Sequence, residues 1–425
     1  MGALIVAAIA IGFLLLLVIP YVTRETRVNR VEKVGSTGLP PPGTDIFRQH
    51  IELLTGSTFS RTRVEILLNG DGTYDRLFED VRNAKRSIMW HVFYHRPGRL
   101  SDRVRETLIE KAREGLQVFF LHDFFGADGL KGDYVDGMKA AGVHVKVFRP
   151  VKWNLLFKMG QRMHIRAVVI DGRLAYTGGM GIDDRWLGDG RSKDSWRDTN
   201  VRFEGPAVSG LQAAFIQNWA ESTASLLVGE ELFEGDDEPS ADGERVAVMH
   251  TDPSMGSTNA ERFFILSIAG ARKSIWITNP YVVPDDDFRK LLIEAAQRGV
   301  DVRILTPGRN TDQRATYYAS RAHLEELMEA GIRYWDYDPT MIHAKTMVVD
   351  GVWGYIGTVN LDNRSMILND EVALMYDSLA IGEQLTTIFL DDLERSTEID
   401  LEEFRRRPQH EKALEQATRL IASLL

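Results

Sequence analysis

Two strings in the sequence set a histidine just ahead of a cation and, further on, an aspartate. They are His164-Ile165-Arg166-Ala167-Val168-Val169-Ile170-Asp171-Gly172 and His343-Ala344-Lys345-Thr346-Met347-Val348-Val349-Asp350-Gly351. Both read as β-strands running into Asp-Gly, a pair favoured in type I′ hairpin turns, with a returning strand beyond. Residues two apart on a strand point to one face, so His164 shares a face with Arg166 and His343 with Lys345. An imidazole beside a fixed cation suits phosphoryl transfer. The ring supplies a nucleophile or a proton, and the cation stabilises charge building on the non-bridging oxygens without a metal. Asp171 and Asp350 are counted with these sites, although an Asp-Gly pair also makes a turn on its own.

The elements that must position these strings repeat along the chain. Asn83-Ala84-Lys85-Arg86-Ser87-Ile88 lies over Gly270-Ala271-Arg272-Lys273-Ser274-Ile275, each opening a short strand. Helical patterns follow over Arg103 to Glu114 and Asp287 to Arg298, each stopping at a glycine, Gly115 or Gly299, where a helix C-cap favours one. Buried-looking strands come next, Leu116 to Leu121 and Val300 to Leu305. A further helix ends near Gly142 in one half and Gly331 in the other, and each half then reaches its histidine. This alternation predicts an α/β fold of two repeated α/β/α lobes in pseudo-twofold arrangement, with a largely parallel central sheet in each.

The chain outside the repeats has its own signals. Gly2 to Val22 carries no charged residue and is long enough to span a bilayer as a helix. Arg24, Arg27, Arg30 and Lys33 follow, which predicts a single-pass anchor with the catalytic part cytoplasmic. A cleaved signal peptide fits less well, because there is no basic leading region and no small-residue cleavage site. The expected organisation is an anchor over 1–23, a juxtamembrane linker over 24–60 and a first lobe over 61–228. An acidic linker over 229–245, a second lobe over 246–395 and a C-terminal amphipathic segment over 396–425 complete it. Two segments mix apolar bulk with cations, Lys152 to Gly160 and the end of the chain after Arg405-Arg406-Arg407. Each suits a membrane surface or, equally, packing on the protein.

Composition removes several function classes. Lys plus Arg number 51 against 61 Asp plus Glu, a net charge of −10, which disfavours duplex nucleic acid as a partner. There is no cysteine, so disulfides, thiolate nucleophiles and Cys-ligated zinc are excluded. Phosphate-loop, serine-elbow and zinc-helix motifs are missing, and neither a cofactor nor a metal is expected.

The His-x-Lys-x(4)-Asp string of the second half resembles the defining motif of the phospholipase D superfamily. Asn279-Pro280-Tyr281-Val282-Val283-Pro284, Ala319-Ser320-Arg321 and Glu329-Ala330-Gly331-Ile332 are similar to bacterial cardiolipin synthases in particular. The resemblance covers roughly residues 60 to 390. It implies a phosphatidyltransferase acting on membrane phospholipid at the inner or plasma membrane. A phosphatidyl group would pass from phosphatidylglycerol to one histidine, His164 by analogy, while His343 protonates the departing alcohol. It implies orienting carboxylates after each motif, Asp198 and Glu371, and phosphate contacts from Thr358 and Asn360, with Gly178 and Gly179 in the first half. Two positions depart from the pattern: Arg166 replaces lysine, and Gly181 stands where asparagine is usual. Lipid hydrolysis, nucleic-acid cleavage and a non-catalytic lipid-binding scaffold are the other readings.

Overall fold

The computed structural model describes residues 28–419 apart from 35–37, 131, 153–157, 234–239 and 254–255. Strands β1 (Ser60–Leu68), β2 (Ser87–Val92), β3 (Gln117–Asp123), β4 (His144–Phe148), β5 (Ala167–Ile170), β6 (Leu174–Gly178) and β7 (Thr199–Glu204) build the first half. The second has β8 (Glu244–Thr251), β9 (Ser274–Thr278), β10 (Val282–Val283), β11 (Asp301–Thr306), β12 (Arg333–Tyr337), β13 (Thr346–Val349), β14 (Trp353–Gly357), β15 (Leu361–Asp362), β16 (Glu371–Asp377) and β17 (Ser396–Glu398).

The order across the main sheet is β17-β12-β11-β9-β13-β14-β16-β8-β1-β7-β6-β5-β2-β3-β4. Read outward from the β1–β8 seam, the two sides use corresponding strands in the same sequence, with β17 added at one edge. This is the expected repeated α/β architecture, in a sheet continuous through both lobes. The sheets are mixed rather than largely parallel. In the main sheet only β2-β3-β4 and β9-β11-β12 run parallel, and the motif strands β5 and β13 join them antiparallel. The cause is local: each motif strand enters after a long excursion and leaves through a tight hairpin, which fixes antiparallel neighbours on one side.

Those hairpins form as predicted. Asp171 and Gly172 both have positive φ, as do Asp350 and Gly351, and the turns close with Arg173 N–H to Ile170 O and Val352 N–H to Val349 O. Just ahead of β5, Ile165 enters the apolar core between the lobes while His164 and Arg166 line a cavity. That interlobe core draws Val201, Phe203 and Phe215 from one half and Val348, Leu374 and Tyr376 from the other.

Two expectations for the flanks need amending. Within the stretch read as linker 24–60, Asp45–Thr55 is a helix capped by Thr44, and Phe47 and Ile51 enter the core of the second lobe beside Phe263 and Trp353. The C-terminal helix Gln409–Arg419 packs on helix Arg314–Arg321. Its basic approach is neutralised internally: Arg407 pairs with Glu415 at 2.6 Å, and Arg405 with Glu325, Glu329 and Glu402. These cations are therefore not left for an anionic surface. Among the described residues no helix is long and apolar enough to cross a membrane. The expected anchor, and residues 153–157 of the 152–160 segment, lie outside them.

The buried histidines make stability pH-dependent. Burial holds His91, on β2, at about 3 and His95 at about 4, whereas an unfolded histidine titrates near 6.5. Below pH 6.5 the unfolded chain takes up protons at these two rings that the folded one refuses, so the stability they contribute falls as pH falls from 6.5 toward those values. Each group costs about 2 kcal/mol between pH 6.5 and 5. In urea melts of the detergent-solubilised protein, His91→Leu is expected to lose about 2 kcal/mol less than wild type over that interval. Equal losses would show that His91 does not stay neutral on folding.

Candidate functional site

The residue before each histidine stands in register with the residue before an acid of the other lobe. Met163 bridges Asp370, and Arg197 bridges Ile342, both in parallel fashion. In the first bridge His164 N–H donates to Asp370 O at 2.9 Å and Asp370 N–H to Arg162 O at 2.8 Å. In the second His343 N–H donates to Arg197 O at 2.7 Å and Arg197 N–H to Met341 O at 2.9 Å. Each histidine is thereby set beside the acid that follows in the opposite half. His164 Nδ1 lies 2.8 and 3.0 Å from the two Glu371 oxygens, and His343 Nδ1 lies 3.4 Å from Asp198 Oδ2. The two sequence-predicted acids are thus both in place, but crossed between the lobes.

Both carboxylates are wholly buried. Glu371 accepts from the Thr358 hydroxyl, from Ser365 Oγ at 2.7 Å and from Asn369 Nδ2 at 3.5 Å, so with the His164 N–H four donors converge on it. Asp198 accepts from Trp186 Nε1 at 2.8 Å and Thr199 N–H at 2.8 Å. Burial pushes both carboxyls above the usual range, opposed at Glu371 by Thr358 and Ser365 and at Asp198 by the Lys345 charge. Burial also holds both imidazoles well below 6.5, reinforced by the Arg166 and Lys345 charges. A neutral ring whose Nδ1–H is fixed by a carboxylate presents an Nε2 lone pair, which is the form a nucleophile needs.

The cations complete an anion site. Lys345 Nζ donates to His343 O at 2.7 Å and lies 3.1 Å from both nitrogens of that ring. The Arg166 guanidinium is buried, and its Nε and Nη1 have no hydrogen-bond partner. Both histidines, Arg166 and Asn360 line a cavity of about 470 Å³, and the Asn360 Oδ1 is likewise unpartnered. Arg162 and Arg364 join them. Burying unpartnered guanidinium N–H groups is costly, and an anion entering the cavity supplies what they lack. The same two-residue alternation, carried one step back from His164, would have found Arg162; the reading from sequence stopped at the histidine.

Several predicted site residues lie elsewhere. Asp171 and Asp350 are not beside the histidines. Each carboxylate is taken up by three successive backbone N–H groups: those of Lys85, Arg86 and Ser87 at 2.8 to 3.0 Å, and those of Arg272, Lys273 and Ser274 at 2.7 to 3.0 Å. The repeated segments noted in the sequence are these amide cradles, so the motif aspartates tie β5 to β2 and β13 to β9. Thr358 gives its hydroxyl to Glu371 rather than to a ligand. Gly178 and Gly179 act by having no side chain. A Cβ at Gly179 would sit 2.3 Å from Asp198 Oδ1, and one at Gly178 2.4 Å from Asn200 Oδ1. At Gly181, the position departing from the family pattern, a Cβ would come within 3.0 Å of the Trp186 indole, which occupies the space and donates to Asp198.

With this geometry in view, comparison with known proteins is informative. A family model described as cardiolipin synthase, PLD-like domain, matches residues 264–393. Cardiolipin synthase 2 of Bacillus anthracis is 36% identical over 370 residues, covering 86% of this chain and 71% of that protein. A cardiolipin synthase of Halalkalibacterium halodurans is 34% identical over 382 residues, covering 89% and 76%. Among solved structures, phosphatidylserine synthase of Haemophilus influenzae shares the fold with a TM-score of 0.69 at 14% identity, covering 89% of this chain and 100% of that one.

The distinction between orienting and cradled acids can be tested by pairing two variants. Glu371→Gln is expected to keep its melting behaviour and lose about 10²- to 10⁴-fold in phosphodiester turnover, because the imidazole loses its anionic anchor. Asp350→Ala is expected to lose roughly 2–4 kcal/mol of stability through stranded amide donors. Where still folded at low temperature, it should retain most turnover. Thermal melts and initial rates on one preparation decide the matter, and an Asp350→Ala protein that is stable but inactive would return that residue to the chemistry.

Proposed function

The chain belongs to the cardiolipin synthase family of phospholipase D-type phosphatidyltransferases, and on that premise we propose that it moves a phosphatidyl group from phosphatidylglycerol to a second lipid alcohol through a phosphohistidine. The observation that carries this reading is the bidentate approach of Glu371 to His164 Nδ1, at 2.8 and 3.0 Å. It leaves Nε2 of a buried, neutral ring as the one free lone pair. The counterpart His343 has a single, longer carboxylate contact at 3.4 Å, which suits a group that gains and loses a proton.

In the first half-reaction His164 Nε2 bonds to phosphorus and the bond from phosphorus to the glycerol oxygen breaks. His343 gives that oxygen its proton, so glycerol leaves as a neutral alcohol. Arg166, Lys345 and Asn360 meet the non-bridging oxygens as charge builds there. The bound phosphodiester is itself an anion, and its charge favours the protonated form of His343 against the burial that disfavours it. In the second half-reaction His343 takes the proton of the incoming hydroxyl, the new phosphorus–oxygen bond forms and the bond to His164 breaks. Atoms and charge balance without a metal or cofactor.

Membrane access follows the same proposal. The uncharged run Gly2 to Val22 serves as a single-pass anchor, with the catalytic part on the cytoplasmic side of the inner or plasma membrane. Val28, the first described residue after it, donates its N–H to Ser257 Oγ at 2.7 Å. The adjacent Thr258 hydroxyl donates to Met366 O, within the turn that carries Arg364 and Ser365 to the cavity wall. The described chain thus begins packed on the second lobe at Ser257, beside the Thr258 that holds the turn carrying Arg364.

Full-length protein incubated with phosphatidylglycerol vesicles is expected to yield a diphosphatidylated glycerol lipid plus free glycerol, read by mass spectrometry. His164→Ala and His343→Ala are each expected to lower product by at least about 10³-fold. Phosphatidic acid as sole product would make the enzyme a hydrolase. Undiminished product from either variant would remove the paired-histidine mechanism.

A further inference from the structure

The cavity has two chemically different walls. His164, Arg166 and the neighbouring arginines form a cationic one. The segment between Gly308–Asn310 and helix Arg314–Arg321 adds Asp312, Gln313 and Thr316 to the lining, and Tyr281 joins Asp312 to His343. The Tyr281 ring meets His343 edge-on with centroids 6.3 Å apart, and its hydroxyl donates to Asp312 Oδ1 at 2.6 Å. Among the described residues Asp312 makes no ion pair, so its second oxygen remains an open acceptor at the cavity wall.

A carboxylate in a site built for an anion needs a reason, since it repels the phosphodiester it faces. Hydrogen-bond donors lying between the two would remove the conflict. An ammonium head group is a poor candidate, because Arg162, Arg166, Lys345 and Arg364 already crowd the site with positive charge. Hydroxyl groups carry donors without charge. They also fall on the correct side: the alcohol that His343 protonates must lie next to His343, and beyond His343 the wall is Tyr281 and Asp312.

We propose that Asp312, held by Tyr281, is the specificity-determining residue for a glycerol head group, accepting hydrogen bonds from the hydroxyls that the reaction leaves untouched. This rests on the reading of His343 as the acid for a glycerol leaving group. The same subsite serves both half-reactions, because the departing alcohol is a glycerol and the incoming alcohol is the glycerol end of a second phosphatidylglycerol. A polar site built for a hydroxyl discriminates strongly against an analogue lacking it, through the acceptor left unpaired.

The test uses full-length enzyme in excess over vesicle lipid, in a single turnover, with radiolabelled head groups. Glycerol release from phosphatidylglycerol is compared with ethanol release from phosphatidylethanol, which has no spare hydroxyls. Asp312→Ala is expected to slow glycerol release about 10- to 100-fold and ethanol release less than about threefold. Asp312→Asn, which keeps the shape and one acceptor, should fall between wild type and Asp312→Ala on glycerol alone. Equal slowing of both head groups would mean that Asp312 only supports the loop, and no slowing of either would remove it from recognition. A wild-type enzyme that releases ethanol but not glycerol, or neither, overturns the phosphatidylglycerol reading itself and the glycerol subsite with it.

Discussion

The structure depends on a pair of crossed contacts: each imidazole is aimed by a carboxylate from the opposite lobe. The parallel bridges Met163–Asp370 and Arg197–Ile342 set the register, and the two histidine–acid distances follow from it. Neither lobe holds a complete histidine–acid pair of its own. Burial of Glu371 and Asp198 would be more costly in an isolated lobe, which keeps the hydroxyl and indole donors but lacks the imidazole of the opposite half. The interlobe core of Val201, Phe203, Leu374 and Tyr376 supplies apolar burial that holds the seam closed around these polar groups.

A second constraint is charge. The chain carries a net charge of −10, yet cations gather where the two motifs meet. Most of the arginines elsewhere are paired, such as Arg197 with Asp392 at 2.8 Å and Arg149 with Asp370 at 3.1 Å. Arg166 is the contrast, with buried guanidinium nitrogens that no protein group satisfies. Its longer planar head, in place of the lysine the family pattern expects, leaves two N–H directions open toward one ligand. The asymmetry between the halves is consistent. Where the first half has Gly181, the Trp186 indole fills the space and serves the carboxylate; where the second has Asn360, an amide faces the cavity.

Much of this was legible in the amino-acid sequence because it rests on short-range periodicity. The helices ending at Gly115 and Gly299, the hairpins at Asp171 and Asp350, and the shared face of His164 and Arg166 all follow from spacing within a dozen residues. What was not legible depends on partners far along the chain. No local pattern says that Glu371 serves His164 rather than His343, since that is decided at the seam between lobes. The motif aspartates were misread because residue type suggests chemistry, whereas their carboxylates are occupied by amides 85 and 77 residues away. The sheet was expected to be more parallel than it is because alternating strand and helix patterns say nothing of the direction in which a hairpin strand is inserted. Helix Asp45–Thr55 was hidden among linker residues because its stripe is only Phe47, Ile51 and Thr55, meaningful once Trp353 is in place.

That helix has a consequence for how the protein is made. It precedes the whole first lobe in sequence, yet Phe47 and Ile51 bury in a core completed by Trp353, about three hundred residues later. At a ribosomal rate of roughly 5–20 residues per second, its apolar face waits some 15–60 s for those partners. The first lobe, including β1, meanwhile emerges and can pair among its own strands. The amino-terminal end is thus among the first parts synthesised and among the last to dock. This docking of an early-made helix onto a late-made core is the event that completes the second lobe.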